Sequence, residues 1–354
     1  MTIYVDLLPK KKRGKCPDEF KFGGCFSDHM FSQEYEDQKG WINKKISPLH
    51  NINLHPSATS LNYSQQIFEG LKAYRGIDGA INLFRHDENV KRFNKSARRL
   101  AMPEVEENEH REAIETLVYC DRSWVPINQG ESLYIRPTMI ATSANLMVEA
   151  ALNYLHYIYT SPARTYFSNG LEPISVKVEE KYVRAVRGGT GNVKTGGNYS
   201  ASMRASGIAL KEGYSQVLWL DAVEGKYIEE VGAMNICFVY ENQQIRTPKL
   251  TGSILAGITR DSILKIAPLI GYSVREIKMD IHSLLCDMKK GIVTEIFACG
   301  TAAVVTPINN LGYKGKHYKT ANQKEFPVST SLYNKLVNIQ HGIEEDPFNW
   351  INKI

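Results

Sequence analysis

Residues 187–200 read RGGTGNVKTGGNYS, with five glycines around a single lysine, Lys194. Glycine is costly in ordered structure unless the backbone needs unusual dihedrals or a close approach, so this density predicts a tight loop against a ligand. In a Walker A loop the lysine follows the last glycine, whereas Lys194 precedes Gly196 and Gly197. GTGNVK also lacks the third glycine of a dinucleotide fingerprint. Taken alone, the segment reads equally well as a flexible glycine loop carrying a solvated lysine.

Downstream of this loop, strand signals fall near ISVKVEE, QVLWLDA, NICFVYE, SVREIKM and VTEIFACG, and helical ones near YSASMRASGIALKEG, TRDSILKIAPLIG and STSLYNKLVNIQHG. Hairpin turns at AVEGK and ENQQ favour a mixed sheet or partial barrel flanked by helices. Upstream, NVKRFNKSARRLAM (89–102) and NEHREAIETLVYCDRSW predict helices, and ESLYIRPTMIATS and LNYLHYIYTS predict strands. The first 55 residues or so look polar and irregular. SPARTYFSNGLEP, residues 161–173, mixes Pro, Ser, Gly and Asn and reads as a linker. The expected organisation is a smaller α+β domain over 1–160, that linker, and a larger domain over 174–354.

A chain of 354 residues exceeds the size at which one core usually stops growing, in keeping with two domains. The 43% hydrophobic and 23% charged residues are those of a globular protein, and no apolar stretch is long enough to span a bilayer. Much of the net charge of +5 sits in Lys10, Lys11, Lys12, Arg13 and Lys15, which reads as a solvated, mobile arm. No apolar segment follows it, so the reading is cytoplasmic rather than secreted. The six cysteines form no CxxC pair and the nine histidines no HxxxH or HExxH, which argues against a protein metal site.

After Lys194 come EEVGAMNICFVY, LAGITRDSIL and FACGTAAVVTP; before it stand FGGCFSDHM, LNYSQQIFEGLKAYRG, NVKRFNKSARRLAMP and LYIRPTMI. This ordered set resembles the branched-chain aminotransferases, fold-type-IV pyridoxal-phosphate enzymes, from about residue 20 to the C-terminal helix. The resemblance implies a two-domain α+β fold and a homodimer that transfers amino groups between leucine, isoleucine or valine and 2-oxoglutarate. It makes Lys194 the residue that bonds pyridoxal 5'-phosphate and shuttles the α-proton. It pairs Glu230 with the pyridine nitrogen and Tyr199 with the ring's O3′ oxygen. For the phosphate it implies Arg92, Thr301 and the turn at Gly257, where the amides of Ile258 and Thr259 open a helix; a helix N-terminus attracts anions.

For the substrate, the resemblance implies an α-carboxylate held by Thr301 and Ala302 in GTAA and an aromatic wall of Phe22, Tyr63 and Tyr134. Arg136 would meet the side-chain carboxylate of glutamate, and the loop Leu146 to Val148 would enter the partner subunit's pocket. Read one by one, most of these residues are ordinary: core aromatics, a surface arginine, an exposed strand acid at Glu230 like Glu229 beside it.

Two departures from the family pattern stand out. Ala233 occupies a place where some relatives carry a hydroxyl, and Ala303 and Thr306 replace a CxxC that follows GTA in mammalian-type members, so no thiol switch is expected there. Competing readings are a D-amino-acid aminotransferase or aminodeoxychorismate lyase of the same fold, or a non-catalytic cofactor-binding protein. The last predicts damage at Lys194 or Glu230, and neither is damaged.

Overall fold

The computed structural model describes residues 2–164 and 171–354. The chain divides into two compact units. The first comprises Met1–Thr165, Val193–Gly196 and Val337–Ile354; the second comprises Tyr166–Asn192 and Gly197–Leu336. Lys194 and the C-terminal residues, which the sequence reading gave to the later domain, are thus part of the first unit. Of the expected linker, residues 161–163 finish a strand and 165–170 lie outside the described residues.

In the first unit the elements run β1 (Tyr4–Val5), β2 (His29–Glu36), β3 (Gly40–Pro48), α1 (Thr59–Tyr63), β4 (Gln66–Phe68), β5 (Leu71–Arg75), β6 (Ile81–Phe84), α2 (His86–Arg99), α3 (Glu107–Cys120), β7 (Ser132–Ala141) and β8 (Asn153–Ala163). A last strand, Ile351–Lys353, pairs antiparallel with β6. The sheet order is β1-β3-β2-β8-β7-β5-β6 and then that last strand, with β4 also on β7. One face is covered by α3, whose Ala113, Ile114, Leu117 and Val118 recur at helical spacing and join Leu71, Leu83, Leu133 and Ile158 in a buried core.

Two expectations about the N-terminal region fail. The stretch read as irregular forms the β2/β3 hairpin, because β2 is sandwiched between β3 and β8 and its polar residues find buried partners. His29 pairs with Asp121, and Gln33 with His156. The basic arm is not free either. Its lysines are exposed, but Leu8 N–H donates to His29 Nε2, Gly14 N–H to Asp28, and the Ser123 hydroxyl to the Gly14 carbonyl.

The second unit contains β9 (Ile174–Val178), α5 (Met203–Lys211), β10 (Gln216–Leu220), β11 (Ile228–Val231), β12 (Asn235–Tyr240), β13 (Gln244–Pro248), α6 (Ile258–Ile266), β14 (Ser273–Ile277), α7 (Ile281–Lys289), β15 (Val293–Gly300), β16 (Val304–Tyr313) and β17 (Lys316–Lys319). The five-residue helix α4 (Gly196–Ser200) closes the glycine loop, and α8 (Pro327–His341) is the C-terminal helix. The sheet order is β11-β10-β9-β16-β15-β12-β13-β14, with β17 on β16. It is mixed: β9 runs parallel to β10 and β16, while β12, β15 and β16 are antiparallel neighbours. The AVEGK and ENQQ turns join antiparallel pairs, as expected.

Candidate active site

Lys194 is seated by backbone pairing. Ile67 of β4 and Thr195 form an antiparallel bridge, Phe68 N–H donates to the Lys194 carbonyl at 3.1 Å, and the Thr195 hydroxyl donates to the Gln66 carbonyl at 2.8 Å. The Lys194 N–H donates to Ser96 Oγ on α2. Gly196 packs against the Gln66 side chain, whose Nε2 would lie 2.5 Å from a Cβ at that position. The result sets Lys194 Nζ 4.4 Å from the centre of the Phe68 ring.

Around that ring the first unit gathers several of the expected residues. The Arg136 guanidinium lies 4.9 Å from the Phe68 ring and 5.2 Å from that of Tyr134, and donates to the Tyr134 hydroxyl at 3.2 Å. Phe22 meets Tyr134 edge-on with centroids 5.1 Å apart. Gly70 makes room for Tyr134, whose hydroxyl would lie 1.9 Å from a Cβ at that position. Tyr63, at the end of α1, is used differently: its hydroxyl donates to the Leu146 carbonyl of its own chain at 2.6 Å. Leu146, Met147 and Val148 are 71%, 64% and 85% exposed, an apolar run that the single chain leaves in water.

Arg92 lies on α2 one turn before Ser96, and here the sequence missed its partner. Glu69, fully buried, takes Arg92 Nε on one carboxylate oxygen at 2.6 Å and Nη2 on the other at 2.9 Å, with Asn89 and the Gly70 N–H adding to the second. Burial alone would raise the Glu69 carboxyl, but Arg92, helped by Lys194 and Asn89, holds it below the usual carboxylate range. Lys72 was missed too. It faces Tyr134 across the β5/β7 ladder, and burial pulls its amine down to about 8. The acid in FEG and the lysine after it are visible in the sequence, but nothing there signals their burial.

The second unit holds the other expected residues. Glu230 is buried on β11, not exposed, and its carboxylate is held by an ion pair and by hydrogen bonds. Arg184 Nε lies 2.9 Å from one oxygen; Leu255 N–H at 2.8 Å and Asn235 Nδ2 at 3.3 Å reach the other. Glu229 is buried as well, so the sequence reading of it as an exposed acid is corrected. Gly257 caps α6 with extended backbone and no side-chain cap. A Cβ on Gly257 would lie 2.0 Å from Asn235 Oδ1. Ile258 begins α6, and Thr259 beside it is buried. Thr301, half-buried, and Ala302, exposed, occupy the turn between β15 and β16. Tyr199, half-buried, sits in α4 after a loop closed by Thr190 and Asn198.

Two further clusters need separate treatment. Cys299 on β15 has a neighbour that the linear sequence hid, Cys237 of the adjacent strand β12. A thiol hydrogen bond to Cys237, together with burial, pushes Cys299 well above the ordinary thiol range. Among the described residues one trio of potential metal donors comes together, Asp28, His29 and Asp121. Its donors are already engaged: His29 Nδ1 lies 2.5 Å from Asp121, His29 Nε2 accepts from Leu8, and Asp28 accepts from Gly14 and Trp124. The trio anchors the N-terminal arm.

Comparison with known proteins identifies the family. Residues 66–311 match the family Amino-transferase class IV. Branched-chain-amino-acid aminotransferase 2 of Bacillus subtilis (strain 168) is 42% identical over 353 residues, covering 100% of this chain and 97% of that protein. A probable branched-chain-amino-acid aminotransferase of Staphylococcus aureus (strain N315) is 47% identical over 350 residues, covering 99% and 97%. The crystal structure of the Escherichia coli branched-chain amino acid aminotransferase superposes with a TM-score of 0.75 at 25% identity, over 92% of this chain and 98% of that one. The fold is shared with the branched-chain amino acid aminotransferase of Thermobaculum terrenum, solved in its PLP form, with a TM-score of 0.74, 21% identity and coverage of 92% and 98%. With residues 66–311 in that family and near-full-length relatives at 42% and 47% identity, the chain belongs to the class IV aminotransferases, among the branched-chain-amino-acid aminotransferases.

Proposed function

We propose that the chain transfers the amino group of L-leucine, L-isoleucine or L-valine to 2-oxoglutarate, with pyridoxal 5'-phosphate bonded to Lys194. The observation that carries this reading is the seating of the Lys194 amine over Phe68 beside Arg136 and the Glu69–Arg92 pair. The donor set fits the cofactor: an amine for its aldehyde, a fixed carboxylate for its ring nitrogen, and a buried arginine with a glycine-capped helix N-terminus for its phosphate. When bound, the cofactor withdraws electrons from the substrate α-carbon.

The chain's own residues supply the rest. Lys194, whose amine would hold the cofactor's aldehyde, would also serve as the base that takes the substrate's α-proton and returns it. Glu230, paired with Arg184 and accepting the Leu255 amide, would hold a proton on the cofactor's ring nitrogen. Arg92, oriented by Glu69, and the amides of Ile258 and Thr259 hold the phosphate with Thr301, and Tyr199 binds the ring oxygen. Thr301 and Ala302 hold the α-carboxylate; Phe22, Tyr63 and Tyr134 line the pocket of the aliphatic side chain.

The exposed run Leu146 to Val148 supports a homodimer in which this loop reaches the partner's site. The protein works in the cytoplasm.

The test is a panel of amino donors with 2-oxoglutarate as acceptor, D-alanine included, alongside borohydride reduction of the holoenzyme. Leucine, isoleucine and valine should be used and D-alanine refused, and reduction should fix the cofactor on the Lys194 peptide. The competing amine is Lys72, and label found there would overturn the assignment.

A further inference from the structure

We propose that the second unit carries a separate binding site for a small α-amino acid zwitterion, on the face of β11 opposite Glu230. Successive residues of a strand point to opposite faces, so Glu229 and Glu230 serve different sides of the sheet. On the Glu229 side lies a cavity of about 250 Å³. That volume is below the range of drug-sized pockets and suits a ligand of amino-acid size.

The charges lining this cavity are unequally satisfied. Glu229 is 5% exposed; one of its oxygens accepts the Ser253 hydroxyl, and the other, Oε2, is buried with no hydrogen-bond partner. Burial pushes its carboxyl up, against the Ser253 hydrogen bond and the charge of Arg184, which pull it down. A buried carboxylate oxygen is seldom left bare, so the orphan points to a missing donor. The other acids of the cavity do not share this deficit. Asp221 accepts four backbone N–H groups of its own turn, and Glu224 pairs with Lys226 and Lys278.

On the cationic side, Lys278 is used by Glu224 and by the Tyr227 ring. Arg187 and Lys249, both exposed, line the same cavity and have no side-chain ion pair or hydrogen bond among the described residues. Val186, Ile254 and Ile277 supply apolar wall. A ligand that satisfies all of these groups has an ammonium for Glu229 Oε2, a carboxylate for Arg187 and Lys249, and an aliphatic side chain. A simple anion leaves Glu229 bare, and a simple cation leaves both bases unused.

The test uses borohydride-reduced holoenzyme, in which leucine cannot react, titrated calorimetrically with L-leucine and with 4-methylvalerate, its analogue without the ammonium. Leucine should bind, 4-methylvalerate should bind at least tenfold more weakly, and both Glu229→Gln and Lys249→Ala should weaken leucine at least tenfold. Lys249 is exposed, so that variant reports on the site even if Glu229→Gln fails to fold. No leucine binding, or binding that is equal in wild type and Lys249→Ala, would overturn the proposal. So would equal affinity for 4-methylvalerate, which would make this an anion site. None of these outcomes depends on which amino donors the enzyme uses.

Discussion

At the scale of single residues, the two arginines of the first unit make opposite predictions. Arg92 is locked onto Glu69, and removing one member of a buried pair strands the other charge, at a cost of about 3–5 kcal/mol. Glu69→Gln should therefore lower the denaturant midpoint sharply. Because the folded pKa of Glu69 is depressed, its contribution is present above the unfolded value of 4.5 and is lost as pH falls through the folded pKa; wild type and variant should converge in acid. Arg136 instead rests on Phe68 and Tyr134. Glutamate brings a second carboxylate that must not be buried unpaired, whereas leucine brings hydrocarbon. Arg136→Leu should slow the 2-oxoglutarate half-reaction about ten- to a hundred-fold, equivalent to about 1.5–3 kcal/mol, and spare the leucine half-reaction. An equal loss in both, accompanied by a lower melting temperature, would show that Arg136 only braces the fold.

At the scale of elements, the glycine loop is not uniformly glycine-dependent. A Cβ on Gly191 would sit 2.2 Å from the Ser253 carbonyl oxygen and 2.3 Å from the Ala185 methyl, neither of which is the end of a flexible chain. Gly197, inside α4, meets nothing within 4 Å. Gly191→Ala should thus cost about 1–3 kcal/mol of overpacking, while Gly197→Ala should be neutral or stabilising by up to about 1 kcal/mol through helix propensity. Thermal melts of the two variants compare them directly, and a stable Gly191→Ala protein would refute the close approach. The density of glycine in 187–200 was legible from the sequence. Which glycines are obligatory was not, because the obstacles come from Ala185 and from Ser253, far along the chain.

At the scale of the whole molecule, stability should fall in mild acid. His110 and His156 are buried against each other with ring centroids 4.6 Å apart, and burial lowers both, His110 to about 3. Between that value and the unfolded 6.5 the unfolded chain binds more protons than the native one, so stability declines as pH drops below 6.5. At pH 5 the penalty is of the order of 2 kcal/mol for His110, and His156 adds to it in the same direction. His110→Phe should flatten this acid limb in urea unfolding measured between pH 7 and 5. An unchanged limb would mean that the histidines are reached by water.

Much of the architecture follows from local pattern: the helices α2, α3, α5, α6 and α8, and the strands β7 to β10, β12, β14 and β15, all carry periodicities strong enough to read along the chain. The ordered motifs likewise identified the family, because a lysine loop, an acid strand, a glycine-opened helix and a GTAA turn are each local. Other features exist only in three dimensions. The β2/β3 hairpin was invisible because its polar residues are buried by partners about 90 to 125 positions away, His29 on Asp121 and Gln33 on His156. Lys194 joins the first unit because its backbone pairs with β4, some 125 residues earlier. Glu69 against Arg92, Arg184 against Glu230, Cys237 against Cys299 and the bare oxygen of Glu229 were decided by packing. A charge or a thiol is written in the sequence, but its counterpart and its access to water are set by which strands and helices the fold brings alongside it.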